Sequence, residues 1–565
     1  MRKKCWVLKN QDRETIEYLS EELSLNPLVV NVMLNRGLKS KDEMKAFICP
    51  DLCRFHDPYL MKGMDRAVRR IWEAIERKET IAVYGDYDVD GITSVSMLYL
   101  ALKEMKADVL YFIPDRLKEG YGVNAEAIRR LREQEVSLII TVDCGITAND
   151  EVRLGKEIGV DMIITDHHKC PDKIPEALAV LNPKQPDCSY PFQDLAGVGV
   201  AFKLVQALLG ERPLPELIEQ YGALAALGTV ADIVPLKDEN RIMVYYGIKN
   251  MKTDKNAGIQ ALLQASTLAG KEIDAGTLGF QLAPRINAAG RIGNADMGVR
   301  LFISGDAQEA KSIAGILNEQ NQIRKEIEQQ IFDEAQNRIR ADKSILSRNI
   351  IILSGKGWHH GVIGIVASRL TEEYYKPCIL FAEEGGVRKG SARSIKGFNI
   401  YNALAAVSPH IERFGGHELA AGLTVQNETF DAFQQALEAY CKKHVQTEML
   451  IQQVPLDGEI HDCDMTQQLV EELKILEPFG MGNAQPNFLV RKAKIIKKFA
   501  FKEGKHLKLS LCQHDKYIDA VGFSMGRYST VLKNGDQVSL AGNIYINEFR
   551  GEKYFSIRIK DIRLS

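Results

Sequence analysis

The sequence predicts an α/β protein: two α/β domains joined by a long helix, with a helical region before them and a small all-β barrel or sandwich after them. Three observations predict it. From residue 80, short apolar or β-branched runs alternate with helical segments, the rhythm of a parallel sheet. Residues 307–342 hold no Pro, and no Gly after Gly315, and charged residues surround their apolar stripe. From about residue 450 the runs shorten and are punctuated by Gly, Asn and Asp. The length of 565 residues agrees with roughly four domains at about 150 residues each.

Each element has its own signal. Residues 1–78 read as helical, because RETIEYLSEELSL and MDRAVRRIWEAIERKE repeat apolar residues at helical spacing. The first α/β domain, 79–306, contains the runs TIAVYG (80–85), ADVLYFIP (107–114), VSLIITVD (136–143), VDMIITD (160–166) and ALAVLNP (177–183). They are apolar throughout rather than alternating, as strands covered on both faces are. A connecting helix spans 307–342. A second α/β domain, 343–449, begins with RNIIILSG (348–355) and ends near AFQQALEAYCKKH (432–444). Residues 450–565 complete the chain as the all-β domain.

Composition excludes several classes. With 45% hydrophobic and 26% charged residues the chain is globular, not disordered or fibrous. No apolar run approaches about 18 residues, so no membrane partner is expected, and MRKKCWVLKNQDRE lacks a signal-peptide core; a cytoplasmic protein is expected. The 10 Cys include one close pair, Cys49 and Cys53, with no second pair nearby, which reads as reduced thiols rather than a zinc site. Lys+Arg total 73 against Asp+Glu 75, a net charge of −2, so a nucleic-acid partner requires a local basic patch. One exists: Arg491–Lys508 holds eight Lys/Arg and one Glu, with Phe499 and Phe501 at alternate positions. Basic residues interleaved with aromatics suit unpaired nucleic acid, although a solvated face and a barrel core account for the same residues.

The chemistry lies where the strands end. TIAVYG runs into Asp86, Asp88 and Asp90; VSLIITV ends at Asp143; VDMIIT ends at Asp166, His167 and His168; Asp232 follows the apolar GALAALGTVA. Parallel strands present their C-terminal ends along one edge, where ligands bind. Gathering that many carboxylates is electrostatically costly without cations between them, so a centre for two divalent ions is expected. Carboxylates with imidazole and no thiolate suit manganese or magnesium. Each piece alone also reads as a helix N-cap or a solvated loop.

In the second α/β domain, Gly415, Gly416 and His417 stand just before an apolar helical stretch, where Gly-rich backbone amides can cradle a phosphate. Ser391 and Arg393 add a hydroxyl and a guanidinium. Arg285, Asn287 and Arg291 lie in a Gly/Ala-rich turn and suit either phosphate contact or a structural salt bridge. His359 and His360 lack a carboxylate cluster and suit a nucleic-acid contact or a structural role.

Asp166-His167-His168, with DYDVDG, DCG and Asp232, resembles the DHH phosphoesterase superfamily. The ordered strings YGDYDVDGITS, PDRLKEGYG, TVDCGI, TDHH, LNPKQPDCSYP, LAGVGVAFKL, ALGTVADIVPL, RINAAGRIGNAD, SARSIKGFNI, FGGHELAAG and LEPFGMGNAQP resemble, within it, the RecJ family of exonucleases, over about residues 80–560. The resemblance implies a DHH-type parallel sheet, a DHH-associated domain and an OB-like barrel. It implies a single-stranded-DNA-specific 5′-to-3′ exonuclease that releases mononucleotides in recombination and repair, with two Mn2+ or Mg2+ ions. It places Asp88, Asp90, Asp143, His167 and Asp232 on metal-binding positions, Asp143 as the bridge, with Asp86 in the same loop. His168 then contacts the scissile phosphate, and Asp166 fixes a histidine tautomer. Arg116, Ser391 and Arg393 become a 5′-phosphate pocket, and Tyr121 a base-stacking residue or a packed loop tyrosine. The implied partner is single-stranded DNA with a free 5′ end, together with a helicase and a single-strand-binding protein; the chain is expected to act as a monomer. The alternatives are a DHH phosphoesterase for short RNA or cyclic dinucleotides, and a catalytically dead scaffold.

Overall fold

A computed structural model describes residues 4–9, 12–115, 122–514, 516–549 and 552–565. The chain forms two compact units, residues 8–318 with 455–565, and residues 1–7 with 319–454. Helix α4 (Ala307–Ala341) begins in the first and ends in the second, as a connector does.

In the first unit the strands β1 (Thr80–Gly85), β2 (Asp108–Phe112), β3 (Val136–Val142), β4 (Asp161–Thr165) and β5 (Ala179–Leu181) form a parallel sheet in the order β2-β1-β3-β4-β5. Strands β1, β3 and β4 are buried on both faces, which is why their sequences are apolar without alternation. Two cores line the faces. One runs through Ile81, Val83, Ile140 and Val142; the other through Ala82, Tyr84, Ile139 and Ile164. The strand order reverses direction between β1 and β3, and a parallel sheet opens its ligand crevice at such a point. On the first face α1 (Val89–Glu104) and α2 (Gly197–Leu208) lie against the sheet, and α3 (Leu214–Ala231) packs on both. They pack closely because small residues face one another. A Cβ at Gly228 would lie 2.4 Å from Thr93 Oγ1.

The C-terminal strands β11 (Phe488–Phe501), β12 (His506–Gln513), β13 (Lys516–Gly522), β14 (Gln537–Phe549) and β15 (Glu552–Leu564) run β11-β12-β13-β15-β14, and β11 pairs with β14 to close the barrel. Its core is shared. Leu19, Val29, Val32, Met33 and Met44 of the N-terminal helices join Leu507, Leu509, Ile518 and Leu540 of the barrel in one cluster. The two ends of the sequence thus fold together. The helical expectation for 1–78 also needs correcting: Cys5–Leu8 is a strand, paired with Gln453–Leu456. Its alternating exposed and half-buried residues and β-forming Trp6 and Val7 set it apart from the helical rhythm that begins at Arg13.

In the second unit β6 (Ile351–Lys356), β7 (Cys378–Glu384), β8 (Val387–Arg393), β9 (Arg413–His417) and β10 (Ala420–Gln426) run β9-β10-β8-β7-β6. Only β6 and β7 pair in parallel. Helix α5 (His360–Tyr374) packs on β7 and β8, and α6 (Phe430–His444) supplies Phe433 and Leu437 to the core around Phe381.

One fully buried ion pair braces the first unit. Lys203 Nζ lies 2.9 Å from Glu239 Oε1 and donates to the carbonyl of His56, while Glu239 also accepts from the Tyr190 hydroxyl and the His56 amide. Breaking such a pair leaves an uncompensated buried charge. Lys203→Ala is expected to destabilise this unit by about 3–5 kcal/mol, read as an earlier guanidinium unfolding transition. A loss under about 1 kcal/mol would show that the pair is dispensable.

Candidate metal centre

The centre is assembled at the C-terminal edge of the parallel sheet, at the β1/β3 reversal. Asp86 follows β1, and Asp88 caps α1, accepting from the Gly91 amide at 3.1 Å. The helix-cap alternative is therefore realised at Asp88 without excluding a ligand role, since a carboxylate has a second oxygen. Asp90, in the first turn of α1, accepts from the Gly197 and Val198 amides at 2.7 and 2.8 Å. Those are the first amides of α2, whose dipole favours a negative charge there. Gly197 permits this approach: a Cβ on it would come 2.7 Å from Asp143 Cβ. Asp143 ends β3 with φ at +59°, a backbone conformation that side-chain-bearing residues rarely adopt and that clusters at functional sites.

The side chains converge. His167 Nε2 lies 3.1 Å from Asp143, 3.6 Å from Asp232 and 4.0 Å from Asp90. Three groups of ligand atoms lie within 4.8 Å of one another: Asp86, Asp88 and Asp143; Asp90, His167 and Asp232; and Asp143, His167 and His168. Asp143 belongs to two of them, as a bridging carboxylate would. His167 Nε2, Asp143 Oδ1 and Asp232 Oδ2 are buried and make no hydrogen bond. Polar atoms that face one another at this range without bonding suit a shared cation, so the residues fit a divalent metal.

Electrostatics point the same way. Burial and neighbouring carboxylates hold Asp90 and Asp143 well above the usual carboxylate range. Burial and Asp88 push Asp232 up to about 7. Burial, then the charge of His168, lowers His167 to about 3, so its ring is neutral and able to ligate. His168 behaves oppositely. Burial alone would lower it, but the hydrogen bond to Asp166 at 2.7 Å and the charge of Asp166 raise it. Asp166 also accepts from the amides of Ile146, His167 and His168; against its burial, the hydrogen bond and charge of the His168 ring, followed by the His168 and Ile146 amides, hold it below the usual carboxylate range, so it stays ionised and orients the histidine loop.

Two residues that no sequence motif singled out for chemistry complete that loop. Asn182 donates to the His168 carbonyl at 2.9 Å, and Lys184 Nζ to the His167 carbonyl at 2.6 Å. Both stand in LNPKQPDCSYP, where an Asn directly after an apolar run is the signal that could have found them.

The remaining expected residues fall in several places. Arg116 and Tyr121 lie outside the described residues. Arg285, Asn287 and Arg291 are on a helix, Ala283–Ile292, not in a turn; alanines outweigh the single glycine, and Pro284 sits in the first helical turn, where its missing amide hydrogen costs nothing. A Cβ at Gly290 of this helix would lie 2.7 Å from the Tyr87 carbonyl, so the helix packs on the Asp86–Asp90 loop. Arg285 Nε donates to Asn318 Oδ1 at 3.0 Å, a hydrogen bond to a neutral amide rather than a salt bridge. Gly415, Gly416 and His417 end β9 and turn back into β10, not into a helix; AAGLTV ends in β-branched Thr424 and Val425 and pairs with β8 on its other side. Register aligns Ser391 with Gly422 and Gly415, and Arg393 with Ala420 and His417. The Arg393 guanidinium is held by Ser368 Oγ at 3.1 Å and Ser391 Oγ at 3.3 Å. His359 caps α5 by accepting from the Gly361 amide, a structural role. On the barrel, Phe499 is exposed and Phe501 half-buried, so neither is core. Phe501, His506 and Phe523 continue as a chain of ring contacts 5.1 and 5.3 Å apart, ending under Arg558.

Comparison with known proteins decides the family. Residues 80–229 match the DHH family N-terminal domain, 347–443 the DHHA1 domain and 456–561 the RecJ OB domain. The chain is 34% identical to the single-stranded-DNA-specific exonuclease RecJ of Salmonella typhimurium, over 97% of this chain and 98% of that protein. The chain belongs to the RecJ exonuclease family. The Bacillus subtilis RecJ is 39% identical over 99% of this chain and 71% of its own length. The crystal structure of Thermus thermophilus RecJ with Mn2+ superposes with a TM-score of 0.85 at 30% identity, covering 99% of this chain and 80% of that one. Among the described residues of this RecJ-family chain, no helix is long and apolar enough to cross a membrane.

A metal that binds raised carboxylates must displace their protons. With Asp232 held at about 7, Mn2+ affinity is expected to rise about tenfold per pH unit per proton displaced below pH 7 and to level off above pH 8. Calorimetry in buffers of different ionisation enthalpy should show proton release at pH 6 that fades by pH 8. An affinity constant between pH 6 and 8 would contradict the assignment.

Proposed function

We propose that this chain is a metal-dependent exonuclease that removes mononucleotides from the 5′ end of single-stranded DNA. The observation that carries the reading is the set of buried, mutually facing carboxylates and imidazole at the sheet reversal, in which His167 Nε2, Asp143 Oδ1 and Asp232 Oδ2 make no hydrogen bond. Asp86, Asp88, Asp90, Asp143, His167 and Asp232 would hold two ions, with Asp143 shared. Manganese or magnesium held there supplies Lewis-acid activation of water and neutralises the phosphodiester.

The chain's own groups do the rest. His168, whose protonated form Asp166 favours, offers a charged donor to the scissile phosphate. Neutral His167 contributes a nitrogen that no proton contests near pH 7. Ser391 and Arg393 supply hydroxyl and guanidinium donors for the terminal 5′ phosphate, and Gly415, Gly416 and His417 take the adjoining backbone. The exposed aromatic and basic surface of the barrel suits unpaired bases and their phosphates. The reading extends to a monomer in the cytoplasm, serving recombination and repair on strands exposed by a helicase and coated by a single-strand-binding protein.

The test is hydrolysis of end-labelled DNA with manganese. A 5′-labelled single strand should release labelled mononucleotide first, and duplex DNA should persist. Asp143→Ala and His167→Ala should each lower kcat at least about a thousandfold without shifting the unfolding midpoint downward. Wild-type rates in either variant, or a preference for dinucleotides, would overturn the reading.

A further inference from the structure

The sheet of the second unit carries more than the Ser391/Arg393 contact. Residues paired directly across antiparallel strands share a face. Three successive rows therefore lie on one face of β8, β10 and β9: Arg393–Ala420–His417, Ser391–Gly422–Gly415, and Lys389–Thr424–Arg413. The alternate residues Ala392, Ala421 and Leu423 point the other way, into the core. Helix α5 borders the three rows on the β8 side, where a Cβ at Gly364 would come 2.8 Å from Ser391 Oγ and 3.1 Å from Arg393 Nη2.

The middle row is a floor without side chains. A Cβ at Gly415 or at Gly422 would meet nothing within 4 Å. Neither glycine has the positive φ that would explain it by backbone need. The third row is cationic at both ends, with Lys389 on β8 and Arg413 on β9. Two interstrand spacings separate them, about 9.6 Å, and each row lies about 6.7 Å from the next. That row spacing is comparable to the step between successive phosphates of an extended single strand. Lys389 pairs with Glu384 at 3.3 Å, with the two side chains 37% and 46% exposed, and Glu384 also faces His360 at 3.5 Å. Arg413 is exposed and reaches the Thr424 hydroxyl at 3.4 Å, the outer limit of a hydrogen bond. An exposed ion pair is weak, so a phosphate can take its place.

We infer that this face is a glycine-floored trough for the phosphodiester backbone, in which Lys389 and Arg413 bind a phosphate internal to the strand, beyond the 5′ end. The inference rests on the proposed reading of Ser391 and Arg393 as phosphate contacts, and it adds a second contact point that fixes the path of the strand across the sheet. Glycine at 415 and 422 lets the sugar-phosphate chain approach the sheet backbone.

The test is salt-dependent binding. The full chain, in EDTA to prevent hydrolysis, is titrated by fluorescence anisotropy into a 3′-labelled 5′-hydroxyl dT oligonucleotide across a range of KCl concentrations. The slope of log affinity against log salt scales as about 0.7 per phosphate contact on single strands. Lys389→Ala with Arg413→Ala should lower the slope by about 0.7, the share of the one phosphate they bind, and Lys389→Arg with Arg413→Lys should keep it. Gly422→Leu, which fills the floor, should weaken binding about tenfold. An unchanged slope in the double-alanine variant overturns the inference, as does an equal loss in the charge-conserving one. Arg393→Ala, compared on 5′-phosphorylated and 5′-hydroxyl ends, tests the underlying reading separately. A retained preference for the phosphorylated end would sink that reading and leave the slope result to be judged by itself.

Discussion

Buried negative charge is the constraint around which the first unit is built. Asp86, Asp90 and Asp143 are almost wholly buried at one edge of the sheet, with Asp232 beside them. Two like charges about 4 Å apart repel by about 4 kcal/mol at an effective dielectric of about 20, and burial adds a desolvation cost to each. Without cations the carboxylates respond by taking up protons, which is the direction in which Asp90, Asp143 and Asp232 all move. A pair of divalent ions would reverse the balance, so the fold holds an electrostatic deficit that bound metal would relieve.

The surrounding architecture holds that deficit in place. The sheet order sets the Asp86–Asp90 loop beside Asp143, and the parallel strand ends align them. The amides that open α2 fix Asp90, and the absence of a side chain at Gly197 lets α2 come this close to Asp143. Gly228 lets α3 lie against α1, which brings Asp232 to the same point. Asp166, Asn182 and Lys184 hold the histidine pair through four hydrogen bonds to its backbone and one to the His168 ring. In the proposed reading few side chains carry the chemistry, and their positions are owed to many around them.

Much of this is legible from sequence because the candidate ligands sit directly after apolar runs. A polar residue ending a buried strand is a local signal, and it locates Asp86, Asp143, Asp166 and His167 on one edge. The connecting helix is legible for the same reason, since 307–342 carries one uninterrupted rhythm. What is not legible depends on partners distant in the chain. The Gly197 amide bonds Asp90 from 107 positions away. The N-terminal helices share a core with a barrel nearly five hundred residues later. The exposure of Phe499 is decided by the closure of the barrel, which sets which face is outside. FGGH resembles a phosphate loop in sequence, yet its glycines are strand residues whose meaning lies in the rows they join across the sheet.

A two-ion centre bridged by Asp143 is the arrangement on which the proposed chemistry depends. The most direct measurement of it is anomalous diffraction at the manganese edge from crystals of the full chain soaked with Mn2+. Two anomalous peaks about 3.5–4 Å apart are expected. One should lie among Asp86, Asp88 and Asp143 and the other among Asp90, His167 and Asp232, with the Asp143 carboxylate between them. A single peak, or peaks away from these residues, would contradict a bridged two-ion centre.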